Sequence, residues 1–388
     1  MGDIRILNPP DLGTLIAELR ARGYRVMGPT VRGDAIVTGE IRTVSDLPRG
    51  RGDTQRPAEY RLTERDDRSF FGFAAPAISS KPVFFPAEEV IWRGRRDHDE
   101  GHFTVERDRP DAAPIALLGT RSCDLRAVQI HDKVLAGRMY EDAHYAARRE
   151  HTFVVAVACG QPAETCFCAS MGTGPRPAET NPETGEAAYD LLLTEVLDEH
   201  NHHFVMEIGT EHGRQVADAI EAGDGDEHDH ARALEITDAA AKRQTRAIDT
   251  STIHGVLRAS VESSRWEEIA TRCLACTNCT LVCPTCFCTT IQDVSDLAGD
   301  EGERHRVWDS CFSEQFSYIH GGPLRGETKS RYRQWITHKL SSWEDQFGML
   351  GCVGCGRCIT WCPVGIDIVE EAAELTRMSG LGSGAARS

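Results

Sequence analysis

Two cysteine runs constrain what this 388-residue chain can fold into more than any other feature. Cys273, Cys276, Cys279 and Cys283 follow C-x2-C-x2-C-x3-C-P, with Pro284 after the last thiol. Cys352, Cys355, Cys358 and Cys362 repeat the pattern, with Pro363. The close triplet suits three irons of one cubane cluster, and the fourth cysteine lies beyond a turn, where in two-cluster proteins it ligates the other cluster. The spacing therefore predicts one [4Fe–4S] cluster on Cys273, Cys276, Cys279 and Cys362. It predicts a second on Cys352, Cys355, Cys358 and Cys283. Such a cross-over makes both clusters part of one folding unit and keeps them close, as electron relay requires.

Other uses of these thiols fit less well. Paired C-x2-C binds zinc, but zinc needs no second triplet followed by x3-C-P. Cys279, Cys283 and Cys286 also match the C-x3-C-x2-C triad of radical SAM enzymes, yet the first two are already committed. Residues 284–351 between the runs read mostly as helix, 327–347 being the longest piece. Small ferredoxins place their runs closer, in a ββα repeat. The long spacer is similar instead to the α-helical ferredoxin module of larger redox enzymes. A capping box of Ser264 with Glu267 is expected to open a helix into the first run.

Upstream, the pattern is α/β. Residues 11–23 have helical spacing and end at Gly23, a suitable C′ residue. Residues 24–41 read as two strands around Arg32-Gly33-Asp34. "KPVFFP" (81–86) looks extended. The short apolar runs "PIALLGT" (114–120) and "FVVAVAC" (153–159) fit strands buried on both faces. Residues 203–209 give another strand, and "LRAVQIHDKVLAGR" has helical periodicity. The acidic stretch 221–235 reads as a solvated loop or linker. The expected architecture is an α/β domain over 1–235, an α-helical ferredoxin-like domain with two [4Fe–4S] clusters over 236–376, and a disordered tail, 377–388.

Seven cysteines remain. Neighbouring parallel strands bring their C-terminal loops to one sheet edge. That geometry gathers Cys123, Cys159, Cys166 and Cys168 around a third [4Fe–4S] cluster, with Asp124 as an alternative ligand. The competing reading is four small buried hydrophobes. Cys286, Cys288 and Cys311 are assigned to the surroundings of a cluster, where thiols tune potential without ligating iron; the alternative is a further metal ligated with Asp309 or His320. Cys311 is expected to begin a helix. "MGTGP" (171–175) lacks the spacing of a phosphate loop and reads as a turn. No nucleotide fingerprint and no acid–base or nucleophile constellation stands out, so no catalytic residue is assigned.

Composition excludes several classes. With 60 acidic against 43 basic residues the net charge is −17, opposite to the basic footprint of a nucleic-acid binder and unsuited to an anionic membrane surface. The N-terminus lacks an apolar signal region, and no stretch is long and apolar enough to span a membrane. A cytoplasmic location is expected. In that reducing setting fifteen cysteines read as metal ligands rather than disulfides.

Taken together, "RSCDLRAVQIHD", "CFCASMGTGP", "CTNCTLVCPTCFC", "WDSC" and "CVGCGRCITWCPVGIDI" resemble the β iron–sulfur subunit of sulfhydrogenases, soluble NAD(P)-linked [NiFe] hydrogenases. The same elements are similar to the iron–sulfur subunit of anaerobic, siroheme-containing sulfite reductase. "KPVFFPAEEVIW" fits the family's lead-in, and the likeness spans residues 75–370. It implies an electron-transfer subunit of a hydrogenase complex, beside the small and large [NiFe] subunits and an FAD- and NAD(P)-binding subunit. It implies no bond-making chemistry in this chain. The alternatives are a non-catalytic redox sensor or scaffold and the corresponding sulfite reductase subunit.

Overall fold

The computed structural model describes residues 3–97, 101–107, 113–137, 140–182, 184–199 and 201–381. Fourteen strands matter here: β1 (Ile4–Leu7), β2 (Arg25–Arg32), β3 (Ala35–Glu40), β4 (Arg51–Arg56), β5 (Glu59–Glu64), β6 (Glu88–Arg96), β7 (Phe103–Arg107), β8 (Ile115–Thr120), β9 (Thr152–Val157), β10 (Leu191–Leu197), β11 (His202–Ile208), β12 (Gly223–Asp224), β13 (Thr289–Ser295) and β14 (Glu301–Trp308).

An eight-stranded sheet runs β12-β1-β11-β10-β9-β8-β2-β3. Its centre is parallel, with β2 beside β8, β8 beside β9 and β9 beside β10, while the outer pairs are antiparallel. Every residue of β8 is buried, as are the last five of β9. These are the apolar runs that predicted two-sided burial. The helix Asp11–Ala21 buries Leu12, Leu15, Ile16 and Leu19, at helical spacing, in the largest apolar core. Gly23 follows it at φ +90°. At a burial value of roughly 1.5–3 kcal/mol per large apolar side chain, that one helical face anchors the sheet's flank.

Four expectations change. Residues 81–84 form a short helix, Lys81–Phe84, rather than an extended segment, because Pro82 sits in the first turn where its missing N–H costs nothing. The acidic stretch 221–235 is not a linker. It supplies β12 and opens the helix Glu227–Lys242, which Asp226 caps through the N–H groups of His228 and Asp229. That helix runs across residue 235 and seats Ala233 against Val196 and Val205 of the sheet. The spacer between the cysteine runs is not mostly helical: β13 and β14 form a hairpin that completes the sheet β13-β14-β6-β7. The helix Arg265–Arg272 exists without its capping box, since Ser264 makes no cap bond and Glu267 instead meets Lys329 at 2.5 Å.

The C-terminal part of the chain otherwise packs short helices around a second core that includes Trp266, Phe312, Tyr332, Trp335 and Ile359. The helix Ile368–Ser379 takes in residues 377–379, which the sequence pattern places in the tail. Residues 382–388 of that tail lie outside the described residues. Cys311 lies in a turn, not at a helix start. Among the described residues no helix is long and apolar enough to cross a membrane.

Candidate iron–sulfur centres

The two cysteine loops share one backbone. In the first, Ala275 and Thr277 adopt φ +50° and +69°. At the matching positions of the second, Gly354 and Gly356 adopt +64° and +75°. Left-handed residues between successive cysteines curl each loop so that its thiols face inward. Each loop then enters one short helical turn, Asn278–Leu281 or Arg357–Thr360.

Cys273, Cys276, Cys279, Cys362 and Cys358 line one small hollow, with Phe312, Tyr332 and Trp335. Four of these five thiols are the expected first set, and the fifth, Cys358, belongs to the expected second set. Cys283 is not among the residues lining the hollow; it lies within charge–charge reach of Cys352, Cys355 and Cys358, and also of Cys279. Among the described residues no three His, Cys, Asp or Glu side chains converge as they would on a single ion. Donors are ready for the sulfur atoms at the hollow: the N–H groups of Ala275 and Ile366 point at Cys273 Sγ and Cys362 Sγ at 3.4 and 3.3 Å. Tyr332 Oη and Trp335 Nε1, on two residues lining the same hollow, are buried donors without a partner. The residues thus fit a [4Fe–4S] group.

Burial pushes the thiols of Cys279 and Cys358 well above the usual cysteine range and that of Cys352 to about 12. Desolvation of a thiolate is the dominant cause in each. Loading iron at these thiols therefore expels protons. Cys283 moves the opposite way. The Cys286 thiol hydrogen-bonds to it and the Lys339 ammonium lies beside it, and together they outweigh burial and hold it well below the usual range. Cys311 hydrogen-bonds to Cys288 in turn, and Lys339 is close, so Cys288 falls to about 7. Cys286 thus meets Cys283 directly, and Cys288 and Cys311 pair with each other beside Lys339, Cys311 also within charge–charge reach of Cys279.

The third group of thiols also gathers, against the second cysteine loop. Cys123, Cys166 and Cys168 are each 7% exposed, and Cys159 is half-buried. Cys159 lies within charge–charge reach of Cys166 and Cys168, and Cys355 within reach of Cys123, Cys166 and Cys168. The loops interlock: Phe167 N donates to Gly354 O at 2.9 Å, and Thr173 Oγ1 to Val353 O at 2.7 Å. A Cβ on Gly354 would meet the Cys168 backbone at 2.7 Å, and one on Gly356 would meet Thr165 O at 2.4 Å. Glycine is required there for close approach as well as for φ.

The "RSCD" element is accounted for side chain by side chain. Arg121 is buried and donates to the carbonyls of Phe71, Phe73, Ala74 and Ala158. Ser122 Oγ donates to Thr173 O at 2.7 Å. Asp124 is not a free ligand: Arg357, inside the second cysteine run, grips both its oxygens at 2.6 and 2.8 Å. Sequence reasoning missed Arg357, Lys81 and Lys339, because their roles depend on partners about 200 residues away or on a bulged helix.

A family model described as a 4Fe-4S dicluster domain matches residues 272–366, which hold both cysteine runs. The β subunit of sulfhydrogenase 2 from Pyrococcus furiosus is 30% identical over 264 residues, covering 67% of this chain and 73% of that protein. No solved structure matches. The shared span exceeds the dicluster domain and so reaches beyond the ferredoxin-type runs. The chain belongs to the sulfhydrogenase β-subunit family.

Proposed function

We propose that this chain is the iron–sulfur electron-transfer subunit of a multi-subunit hydrogenase, relaying electrons to or from a flavin-bearing subunit that uses NAD(P). The observation that carries the reading is the stepwise succession of thiol groups. Cys276 is exposed, and Leu274 beside it is 64% exposed, so the first hollow opens at the surface. Cys283 and Cys358 of the next group lie within charge–charge reach of Cys279, and Cys123, Cys166 and Cys168 within reach of Cys355. Bound clusters supply one-electron storage at each station, and the chain's own residues hold, insulate and bias them.

On this reading Cys273, Cys276, Cys279 and Cys362 hold the first cluster, and Cys352, Cys355, Cys358 and Cys283 the second. Cys123, Cys159, Cys166 and Cys168 hold a third. The interlocked loops at Gly354 and Phe167 support placing the third against the second. The partners are the small and large [NiFe] subunits and an FAD- and NAD(P)-binding subunit. The α/β part of the chain positions the third cluster, and the part that holds both cysteine runs carries the pair.

Anaerobic purification from the native cell tests the reading. Co-purification with a [NiFe] large subunit and with about twelve irons per chain, four for each cubane, is the expected result. A siroheme protein in place of the [NiFe] subunits would assign the relay to sulfite reduction. About eight irons, unchanged by Cys166→Ser, would remove the third cluster.

A further inference from the structure

Two buried ammonium groups flank one of the paired cysteine sites and not the other. Lys81 and Lys339 are 5% and 4% exposed. Lys339 Nζ donates to Cys283 Sγ at 3.1 Å and to Thr285 Oγ1 at 3.1 Å. Lys81 Nζ donates to the carbonyls of Leu281 and Cys286 and sits 3.7 Å from the centre of the Trp308 ring. Among the described residues no carboxylate accepts from either lysine. A buried cation without a counter-charge is costly, so these two call for an anion on their open side. The groups that face them are the thiols of Cys283, Cys286, Cys288 and Cys352, and each other.

Lys339 is held in place by local structure. It lies in a π-helical bulge, His338–Ser342, inserted between Thr328–Thr337 and Trp343–Phe347. Such bulges re-aim side chains and recur at functional positions. The Lys339 carbonyl also accepts from Gly351 N at 2.7 Å, tying the lysine to the residue before Cys352. The surroundings of the first hollow differ. Its aromatic lining is uncharged, and the buried guanidinium of Arg331, within charge–charge reach of Cys273, bonds Arg325 O, Gly326 O and Thr328 Oγ1, whereas Lys339 bonds a cysteine sulfur directly. The guanidinium of Arg357, next to Cys355, is neutralised by Asp124.

We propose that Lys339, backed by Lys81, sets the potential of the cluster held by Cys352, Cys355, Cys358 and Cys283, raising it above that of the cluster at Cys273, Cys276, Cys279 and Cys362. Hydrogen bonds and positive charge at a ligand sulfur favour the more negative, reduced state of a cluster. Electrons on the chain therefore rest at the inner station. The inference rests on the ligand sets proposed above.

The test uses the full chain, loaded with iron and titrated anaerobically by electron paramagnetic resonance. The signal lost in Cys352→Ser marks the inner cluster. Lys339→Met is expected to keep its iron and to shift that signal to lower potential, leaving the signal lost in Cys273→Ser unmoved. Lys339→Arg is expected to restore most of the shift. In the native reduced chain labelled with 15N-lysine, electron–nuclear double resonance is expected to show a nitrogen coupling on the inner cluster. Unmoved potentials in an iron-replete Lys339→Met variant, or no lysine coupling in the native chain, would overturn the proposal. The labelled native chain decides the matter if the variant loses iron. If Cys352→Ser removes no signal, the ligand assignment fails instead, independently of Lys339.

Discussion

Replacing Asp124 with Asn tests how the α/β part of the chain is fastened to the second cysteine loop. The Arg357 side chain is fully buried and the Asp124 side chain is 4% exposed. Both carboxylate oxygens are engaged, and Arg357 Nε donates to Pro76 O at 2.7 Å. Removing one partner of such a pair strands a charge out of water and costs about 3–5 kcal/mol. That is a large share of the roughly 5–15 kcal/mol by which domains are stable. Since Arg357 lies between Cys355 and Cys358, the damage should reach the inner cluster first. Asp124→Asn is expected to lower the denaturant midpoint under anaerobic conditions and to cost about four irons, one cubane. The double variant Asp124→Asn with Arg357→Met should lose less than the sum of the two singles, because it leaves no orphaned charge. It should still fall short of the native chain, since Pro76 O then lacks its donor. A cost below about 1 kcal/mol for Asp124→Asn, within the range of an exposed pair, or strict additivity in the double, would refute the reasoning.

Three further outcomes are expected. Cys283→Ser should remove the signal tied to Cys352, Cys355 and Cys358, while Cys362→Ser removes the one tied to Cys273, Cys276 and Cys279. Paramagnetic resonance of each reduced variant reads this directly, and the reverse pattern would cancel the cross-over. Gly354→Ala should cost more than about 2 kcal/mol, adding a backbone clash to the left-handed strain, whereas Ala275→Gly should be neutral or stabilising. Thermal unfolding of the two variants makes that comparison. Finally, burial depresses His131 to about 3, whereas the unfolded chain protonates it near 6.5. The unfolded state thus binds the proton first, and stability is lost as pH falls from about 6.5 toward 3, by up to about 1.4 kcal/mol per unit from this residue. His131→Gln should flatten that acid limb in denaturation series across pH, and an unchanged slope would count against it.

The cysteine loops were legible because cluster ligation fixes both residue type and spacing, so chemistry leaves a local pattern. The buried strands at 115–120 and 152–157 were legible for a similar reason, as continuous apolar runs report burial on both faces. The helix Glu227–Lys242 was hidden because its charged first turn resembles a linker. Its seat on the sheet is made by small residues, Ala233, Thr237 and Ala240, which carry little hydrophobic signal. The β13–β14 hairpin was missed because its residues are exposed or half-buried, and its pairing with β6 is a contact of long sequence separation. The same distance hid the grip of Arg357 on Asp124, while that of Lys339 on Cys283 depends on a bulged helix. Each is an ordinary charged residue until folding brings in its partner.

On the proposed function, these clusters carry electrons during turnover. Freeze-quench paramagnetic resonance of the intact native complex, mixed anaerobically with hydrogen and separately with NAD(P)H, tests it most directly. The account predicts that the clusters of this chain are reduced from both sides, at rates no slower than turnover. Clusters that stay oxidised through many turnovers, in a complex that remains active, would contradict it and leave them a structural role.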